Sequence, residues 1–139
     1  PSPSFSPKTG LFYVNATRAF SVYYIYDPSD NPEGWGGTDR GGWSESMLQA
    51  IDYRTGKIRW SHPWAAGSGA HLGILTTAGN VLFTGGAGGL EALDASTGAA
   101  LWHARIGNVT NGPITYLLDG QQYVVVAVGT SVMAFVMNR

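Results

Sequence analysis

One pattern of hydrophobic and polar positions occurs twice along the chain, over residues 48–60 and 90–102. In both copies Leu, Ala, Asp, Thr, Gly and Trp stand at the same offsets, which gives a period of 42 residues from Leu48 to Leu90. Self-similarity at a fixed period of this length is typical of stacked structural units. The pattern therefore predicts a repeat architecture.

The second copy shows what one repeat should contain. Residues 90–94 alternate with the period of two that is expected of a strand. The Asp94 carboxylate can accept from backbone N–H groups just ahead, and Gly98 can take the positive φ of a tight hairpin. The chain should return as a strand over residues 99–104 and carry Trp102 against an adjacent sheet. Small four-stranded sheets with a repeat of roughly 40–50 residues are the blades of a β-propeller.

Strand patterns of this kind divide the chain into three blade-like units, at about residues 3–62, 70–106 and 113–137. The second unit has four predicted strands. The third has a hairpin around Asp119-Gly120 and only three strands, and in a closed propeller the missing strand commonly comes from the other terminus of the polypeptide. Its run 123–128 is apolar on both faces, which predicts a strand sandwiched between neighbouring sheets in the deep interior.

The first unit is interrupted by an insertion over residues 27–46 that is rich in Pro and Gly and shows no strand period. Trp35 and Trp43 are unusual in a solvated linker. The insertion is either a functional lid or rim loop, or a segment whose tryptophans dock on the blade surface. Residues 19–26, just before it, are either a further strand or its edge. Its acidic residues lack the ordered spacing of an EF-hand calcium loop.

Composition supports an all-β protein. The 139 residues include 20 Gly, five Trp and seven Tyr, and only 12% are charged. The net charge of −1 and the scattered basic residues argue against nucleic acid or an anionic membrane as partner. The chain has no cysteine, which excludes disulfides and Cys-ligated metal.

The sequence was also searched for a membrane-spanning segment and a signal peptide. The longest aliphatic run, 124–128, is too short to span a bilayer. No signal-like segment opens the chain, which begins at Pro1 without Met, and we expect a piece of a longer polypeptide.

The residues of this chain carry little local chemistry. No Gly-x-Ser-x-Gly element with partners is present. The glycine run 85–89 lies between two predicted strands and is read as a turn. Asp52 and Asp94 occupy the same repeat position, which favours turn stabilisation over acid–base work. No pair of histidines has the spacing of a zinc site: His62, His71 and His103.

At this point a family resemblance appears. The Ala-x-Asp-x-x-Thr-Gly-x-x-x-Trp pattern at 50–60 and 92–102 resembles the tryptophan-docking motif of the PQQ-dependent quinoprotein alcohol dehydrogenases. Residues 4–14, 75–83 and 112–124 resemble successive blocks of that family's C-terminal third. The resemblance implies an eight-bladed propeller, usually periplasmic, of which this chain would form about three four-stranded blades. It also implies pyrroloquinoline quinone (PQQ) and calcium near the axis, and alcohol oxidation by hydride transfer to the quinone.

The resemblance maps few functional residues onto this chain. The family's catalytic aspartate, calcium ligands, ring-stacking tryptophan and vicinal cysteines belong to blocks upstream of Pro1, so no catalytic or metal-binding residue is assigned. The family's loop Trp-Asn-Gly-Gly, which approaches the quinone, corresponds to residues 70–73, where only Gly73 is kept. His71 is a candidate donor to a quinone carboxylate or carbonyl, or else a crossover residue without cofactor contact. The family's tryptophan after the final Val-Gly is replaced by Thr130.

Two functions remain open from the sequence. The first is the C-terminal part of a PQQ-dependent dehydrogenase, in which the chain contributes blade packing and one wall of the cofactor pocket. Its partners would be the rest of the propeller, an alcohol and an electron acceptor. The isolated chain should be inactive, bind neither PQQ nor calcium, and self-associate through unpaired sheet edges. The alternative is a non-catalytic PQQ-like propeller that serves as a protein-binding scaffold.

Overall fold

The computed structural model describes residues 2–24, 38–64 and 72–136, and within them the regular structure is entirely β-strand. The strands form three antiparallel sheets. The first sheet contains β1 (Ser4–Ser6), β2 (Leu11–Tyr24), β3 (Thr38–Asp52) and β4 (Ile58–Pro63). The second contains β5 (Ile74–Thr76), β6 (Val81–Gly86), β7 (Gly89–Asp94) and β8 (Ala100–Ala104). The third contains β9 (Ile114–Leu118), β10 (Gln121–Val128) and β11 (Ser131–Val136).

Each sheet is a meander in which neighbours in sequence are neighbours in space, with orders β1-β2-β3-β4, β5-β6-β7-β8 and β9-β10-β11. The predicted all-β fold, with four strands in the second unit and three in the third, is confirmed. The predicted turn at Asp119-Gly120 joins β9 to β10, and both of its residues have positive φ, 49° and 74°. Short turns of this kind favour antiparallel pairing of consecutive strands.

The hydrophobic cores lie between the sheets. The second sheet is buried on both faces because its strands alternate between two cores, so that Leu93 packs toward the first sheet while Leu90 and Ala92 pack toward the third. The first core contains Leu11, Tyr13, Leu48, Ala50, Trp64, Ile74, Leu82, Leu93 and Ala95. The second contains Phe83, Leu90, Ala92, Val109, Val124 and Val126. Burial on both faces is what a blade between two other blades requires.

The Asp-to-Gly turn of the second sheet has the predicted geometry. Asp94 Oδ1 accepts from the backbone N–H groups of Ser96 and Thr97, both at 2.9 Å. Gly98 has φ +75° and its N–H donates to Asp94 O at 2.8 Å. The carboxylate and the glycine thus close a hairpin that a side chain at position 98 would strain.

The turn of the first sheet repeats this geometry. Asp52 Oδ1 accepts from the N–H groups of Arg54 at 2.9 Å and Thr55 at 3.1 Å, and Gly56 has φ +67°. These backbone donors, first that of Thr55 and then that of Arg54, lower the pKa of the Asp52 carboxyl. The interpretation of Asp52 as a turn residue agrees with these contacts.

Residues 38–46 differ from the expectation. They were expected to be irregular, yet they belong to β3, which pairs with β2 from Leu11 opposite Asp52 to Tyr24 opposite Thr38. The register of the two strands shifts at a bulge between Ala19 and Ser21. Pairing with β2 thus makes this segment a strand despite its glycine-rich composition. Residues 19–24, left open above, therefore continue β2. Residues 25–37, with Trp35 and the first acidic residues of the insertion, lie outside the described residues.

The third sheet also differs from expectation. Val124 and Val126 of β10 are buried, but Val125 and Ala127 are only half-buried, so the deep interior expected for residues 123–128 is found on one face alone. The reason is that only the second sheet packs against the third within the described part of the chain. All five residues of β9 are exposed.

Candidate functional site

Gly73, predicted to face a cofactor, lies immediately before β5 and is buried. A Cβ at this position would lie 3.0 Å from Gly112 Cα, so the two glycines pack backbone to backbone. The flanking residues are fixed as well, since Leu72 N–H donates to Gly85 O at 2.9 Å and Ile74 N–H to Ser2 O at 3.1 Å. The structure thus gives Gly73 a packing role, and its contact with a cofactor stays a prediction. His71 lies outside the described residues.

One side chain that the sequence analysis did not select joins both ends of the crossover from the first sheet to the second. Asn15 Nδ2 donates to Leu72 O at 2.8 Å, and Asn15 Oδ1 accepts from Trp64 Nε1 at 3.3 Å. Trp64 also donates its backbone N–H to Ser46 O at 3.0 Å. The sequence did offer one signal for this residue, since Asn15 stands within a predicted strand of aromatic and β-branched residues. An amide side chain in such a strand needs hydrogen-bond partners when it is partly buried.

Further polar groups lie on the faces where the first and second sheets meet. His62 Nε2 stands 4.0 Å from Glu91 Oε2, and the His62 ring packs edge-on against Trp64 with ring centroids 4.9 Å apart. Thr84 pairs with Glu91 across β6 and β7, and its fully buried Oγ1 has no hydrogen-bond partner. Across residues 2–24, 38–64 and 72–136, no three His, Cys, Asp or Glu side chains are placed to hold a metal ion. The groups available here are amides, hydroxyls and one His–Glu pair.

The seam between the first and second sheets is tied by the first repeat tryptophan. Trp60 Nε1 donates to Ala95 O at 3.2 Å, and the buried Tyr13 hydroxyl donates to the same carbonyl at 2.9 Å. The half-buried Trp60 ring covers Gly98 so closely that a Cβ there would lie 2.6 Å from Cε3. The first-sheet tryptophan therefore sits on the Asp-to-Gly turn of the second sheet.

The second repeat tryptophan occupies the same place in its own sheet. Trp60 pairs with Ala50 and Trp102 with Ala92, and a register shift follows in both cases. Trp102 lies edge-on to Phe135 of β11 at 5.4 Å between ring centroids but is 42% exposed. It borders an apolar cleft of about 420 Å³ between the second and third sheets. Both rings thus lie against the following sheet, and Trp102 is less covered.

Comparison with known families places these sheets. The family model PQQ_2, described as "Outer membrane protein assembly factor BamB", matches residues 44–137. That range includes the first Asp-to-Gly turn and every strand of the second and third sheets. The chain belongs to the PQQ_2 family.

Relatives of this PQQ_2 chain include quinoprotein alcohol dehydrogenases. It is 34% identical to the quinoprotein alcohol dehydrogenase PedE of Pseudomonas putida over 91% of this chain and 21% of the relative. It is 39% identical to the quinohemoprotein alcohol dehydrogenase of Comamonas testosteroni, over 91% of this chain and 20% of the relative. The predicted relationship to the PQQ-dependent alcohol dehydrogenases is confirmed, and the chain spans about a fifth of their length.

Solved structures agree with this placement. The crystal structure of the Comamonas testosteroni quinohemoprotein alcohol dehydrogenase superimposes with a TM-score of 0.73 at 33% identity, covering 94% of this chain and 22% of that one. A europium-containing methanol dehydrogenase gives a TM-score of 0.68 at 27% identity, covering 89% and 23%. The three sheets of the PQQ_2 chain therefore match part of a quinoprotein propeller. No helix suited to crossing a membrane occurs in the part of the chain that the structure describes.

Proposed function

We propose that this chain is part of a quinoprotein dehydrogenase that oxidises an alcohol-type substrate by hydride transfer to PQQ. The observation that carries the proposal is the similarity to such dehydrogenases over 91% of the chain, with the same arrangement of sheets. Within that protein the chain provides blade packing and one wall of the cofactor pocket. The bound PQQ would supply the hydride acceptor.

In this proposal the chain forms a wall of the cofactor pocket and leaves the metal to other parts of the protein. Gly73, whose packing on Gly112 leaves no room for a side chain, would present only its backbone to the cofactor. His71 would donate to a quinone carboxylate or carbonyl. The catalytic aspartate and the calcium ligands would come from the rest of the propeller, with an alcohol and an electron acceptor as partners and the periplasm as location. The isolated chain would then bind neither PQQ nor calcium.

A chimera tests the proposal. This chain would replace the matching fifth of the Comamonas testosteroni dehydrogenase, and alcohol-dependent dye reduction would be measured with PQQ and calcium. We expect turnover by the chimera and none by the isolated chain. In the chimera, His71→Ala should weaken PQQ binding roughly 10- to 100-fold, the effect of one lost hydrogen bond to a charged group. A folded chimera that binds no PQQ, or turnover by the isolated chain, would contradict the proposal.

A second candidate is a non-catalytic propeller that acts as a protein-binding scaffold. The description of the matching family as an outer membrane protein assembly factor favours it. Exposed aromatic side chains on the paired ends of β2 and β3 also favour it, since Phe20, Tyr23 and Trp43 are 61%, 80% and 54% exposed. The same chimera separates the two functions, because a scaffold would fold without binding PQQ.

A further inference from the structure

We propose that Asn15 is a positioning residue that ties both ends of the crossover between the first and second sheets and thereby fixes the pocket wall at Gly73. The inference rests on the proposed function for its cofactor consequence. Its geometric part depends only on contacts within this chain.

The Asn15 amide is used on both sides. Its nitrogen donates to the carbonyl of Leu72, the first described residue after the crossover, and its oxygen accepts from the indole of Trp64, the last described residue before it. Among side chains of this size only an amide carries a donor pair and an acceptor on one planar group. An aspartate could still accept from Trp64, but it would face the Leu72 carbonyl without a proton to donate.

The surroundings make these two hydrogen bonds consequential. Asn15 is half-buried and is fixed on β2 by its pairing with Leu48, which is fully buried. Trp64 is 8% exposed and belongs to the first core. Hydrogen bonds gain strength where water is excluded, and a partner left unpaired there costs more than the bond contributes.

Leu72 transmits the position of Asn15 to Gly73. Its carbonyl is held by Asn15 and its N–H by Gly85 O, so its backbone is bound on two sides. The next residue, Gly73, packs against Gly112 so tightly that a Cβ at position 73 would lie 3.0 Å from Gly112 Cα. Releasing the Leu72 carbonyl would let this contact relax, and the wall would lose its fixed place.

The test compares Asn15→Asp and Asn15→Leu with Thr17→Val. Thr17 lies two residues further along β2, is exposed, and hydrogen-bonds Ser46 Oγ at 3.1 Å through its Oγ1. Amide hydrogen exchange of the 139-residue chain is the first measurement. We expect exchange of the Leu72 amide, which donates to Gly85 O, to become about tenfold faster in both Asn15 variants, as for one lost hydrogen bond, and to stay unchanged in Thr17→Val. Unchanged protection at Leu72 in folded Asn15→Asp would overturn the proposal.

A second measurement separates positioning from general stability. In the chimera described above, the dissociation constant for PQQ and the thermal unfolding midpoint would be determined for the same variants. Asn15→Asp should raise the dissociation constant several-fold, while Thr17→Val should leave it unchanged even if both lower the midpoint equally. Equal PQQ affinity in Asn15→Asp and the unsubstituted chimera would overturn the cofactor consequence. If the unsubstituted chimera binds no PQQ, the proposed function fails and hydrogen exchange alone decides the role of Asn15.

Discussion

The carbonyl oxygen of Ala95 receives two hydrogen bonds from the neighbouring sheet, one from the Tyr13 hydroxyl and one from the Trp60 indole. The Tyr13 oxygen also hydrogen-bonds Thr9 Oγ1 at 2.7 Å. Burial raises the pKa of the Tyr13 phenol; the Thr9 hydrogen bond opposes this rise and the charge of Asp94 adds to it. The Ala95 carbonyl, in the turn of the second sheet, thus links that sheet to the first.

Replacing Tyr13 by Phe should lower the free energy of unfolding by about 1–2 kcal/mol, because the buried Ala95 carbonyl loses one of its two donors and the half-buried Thr9 hydroxyl loses its partner. The pH dependence should change as well. A raised pKa means that the phenol's contribution is complete below its ordinary value of 10.0 and is lost as pH rises through the folded-state value. Tyr13→Phe should therefore flatten the alkaline loss of stability, as measured by urea unfolding across this range.

Tyr23→Phe is the matched control for this prediction, because Tyr23 lies on the same strand but is 80% exposed. It should leave both the stability and the alkaline slope as they are. An alkaline slope in Tyr13→Phe equal to that of the unsubstituted chain would contradict the assignment.

The two turn glycines allow a sharper comparison. Gly56 and Gly98 have similar φ, +67° and +75°, but a Cβ at Gly56 meets nothing within 4 Å whereas one at Gly98 would collide with Trp60. Gly56→Ala should cost only the left-handed backbone strain of about 1–2 kcal/mol. Gly98→Ala should cost a further ~1–3 kcal/mol from displacing the ring. Equal losses in denaturant unfolding would mean that Trp60 does not rest on this turn in solution.

At the scale of elements, the turns could be predicted because their cause is local. The conformation of each turn is determined by an aspartate, a threonine and a glycine that lie within five residues. The extension of β3 through residues 38–46 could not, because it depends on pairing with β2. There Arg18 forms an ion pair with Glu45, and Phe20 stacks on Trp43 at 5.8 Å between ring centroids. Such cross-strand pairs lie about twenty residues or more apart in sequence, beyond the reach of a periodicity argument.

The repeat tryptophans give a prediction at this scale. Trp60→Ala should destabilise the chain by at most about 3–5 kcal/mol, the range for aromatic residues in cores, because the half-buried Trp60 ring packs against the first core. Trp102→Ala should cost less, because Trp102 is 42% exposed and lies edge-on to Phe135, whereas Trp60 covers the turn at Gly98. Chemical unfolding followed by circular dichroism would compare the two variants. A Trp102 loss equal to that of Trp60 would show that something further covers the 420 Å³ cleft in solution.

At the scale of the molecule, sequence blocks indicated the family because they recur in order over nearly the whole chain. The candidate site was predicted less completely. The resemblance selected Gly73, whose contact with a cofactor stays a prediction. It did not select Asn15, whose partners Trp64 and Leu72 lie 49 and 57 residues away. The expected burial of β10 depended on a sheet on each side, and only one is present among the described residues.

The third sheet leads to the last prediction, which concerns association. Among the described strands β9 forms an edge of the third sheet, with an outward row of N–H and C=O groups. Its Leu117 and Leu118 add apolar side chains that are 72% and 52% exposed. Edges of this kind pair with other chains unless a charge blocks them. We expect the 139-residue chain to self-associate in light scattering, and Leu117→Lys to shift it toward monomer.

Gln122→Lys provides the matched control. Gln122 pairs directly with Leu117 but lies on β10, in the centre of the sheet. A lysine at position 122 therefore adds the same charge to the same sheet without changing the edge strand. It should leave the association unchanged. If both lysine variants have an equally reduced apparent mass, net charge rather than edge pairing governs association. If the unsubstituted chain is monomeric at high concentration, the exposed edge of β9 does not mediate association. Association lost only in Leu117→Lys would identify β9 as the strand through which the chain pairs.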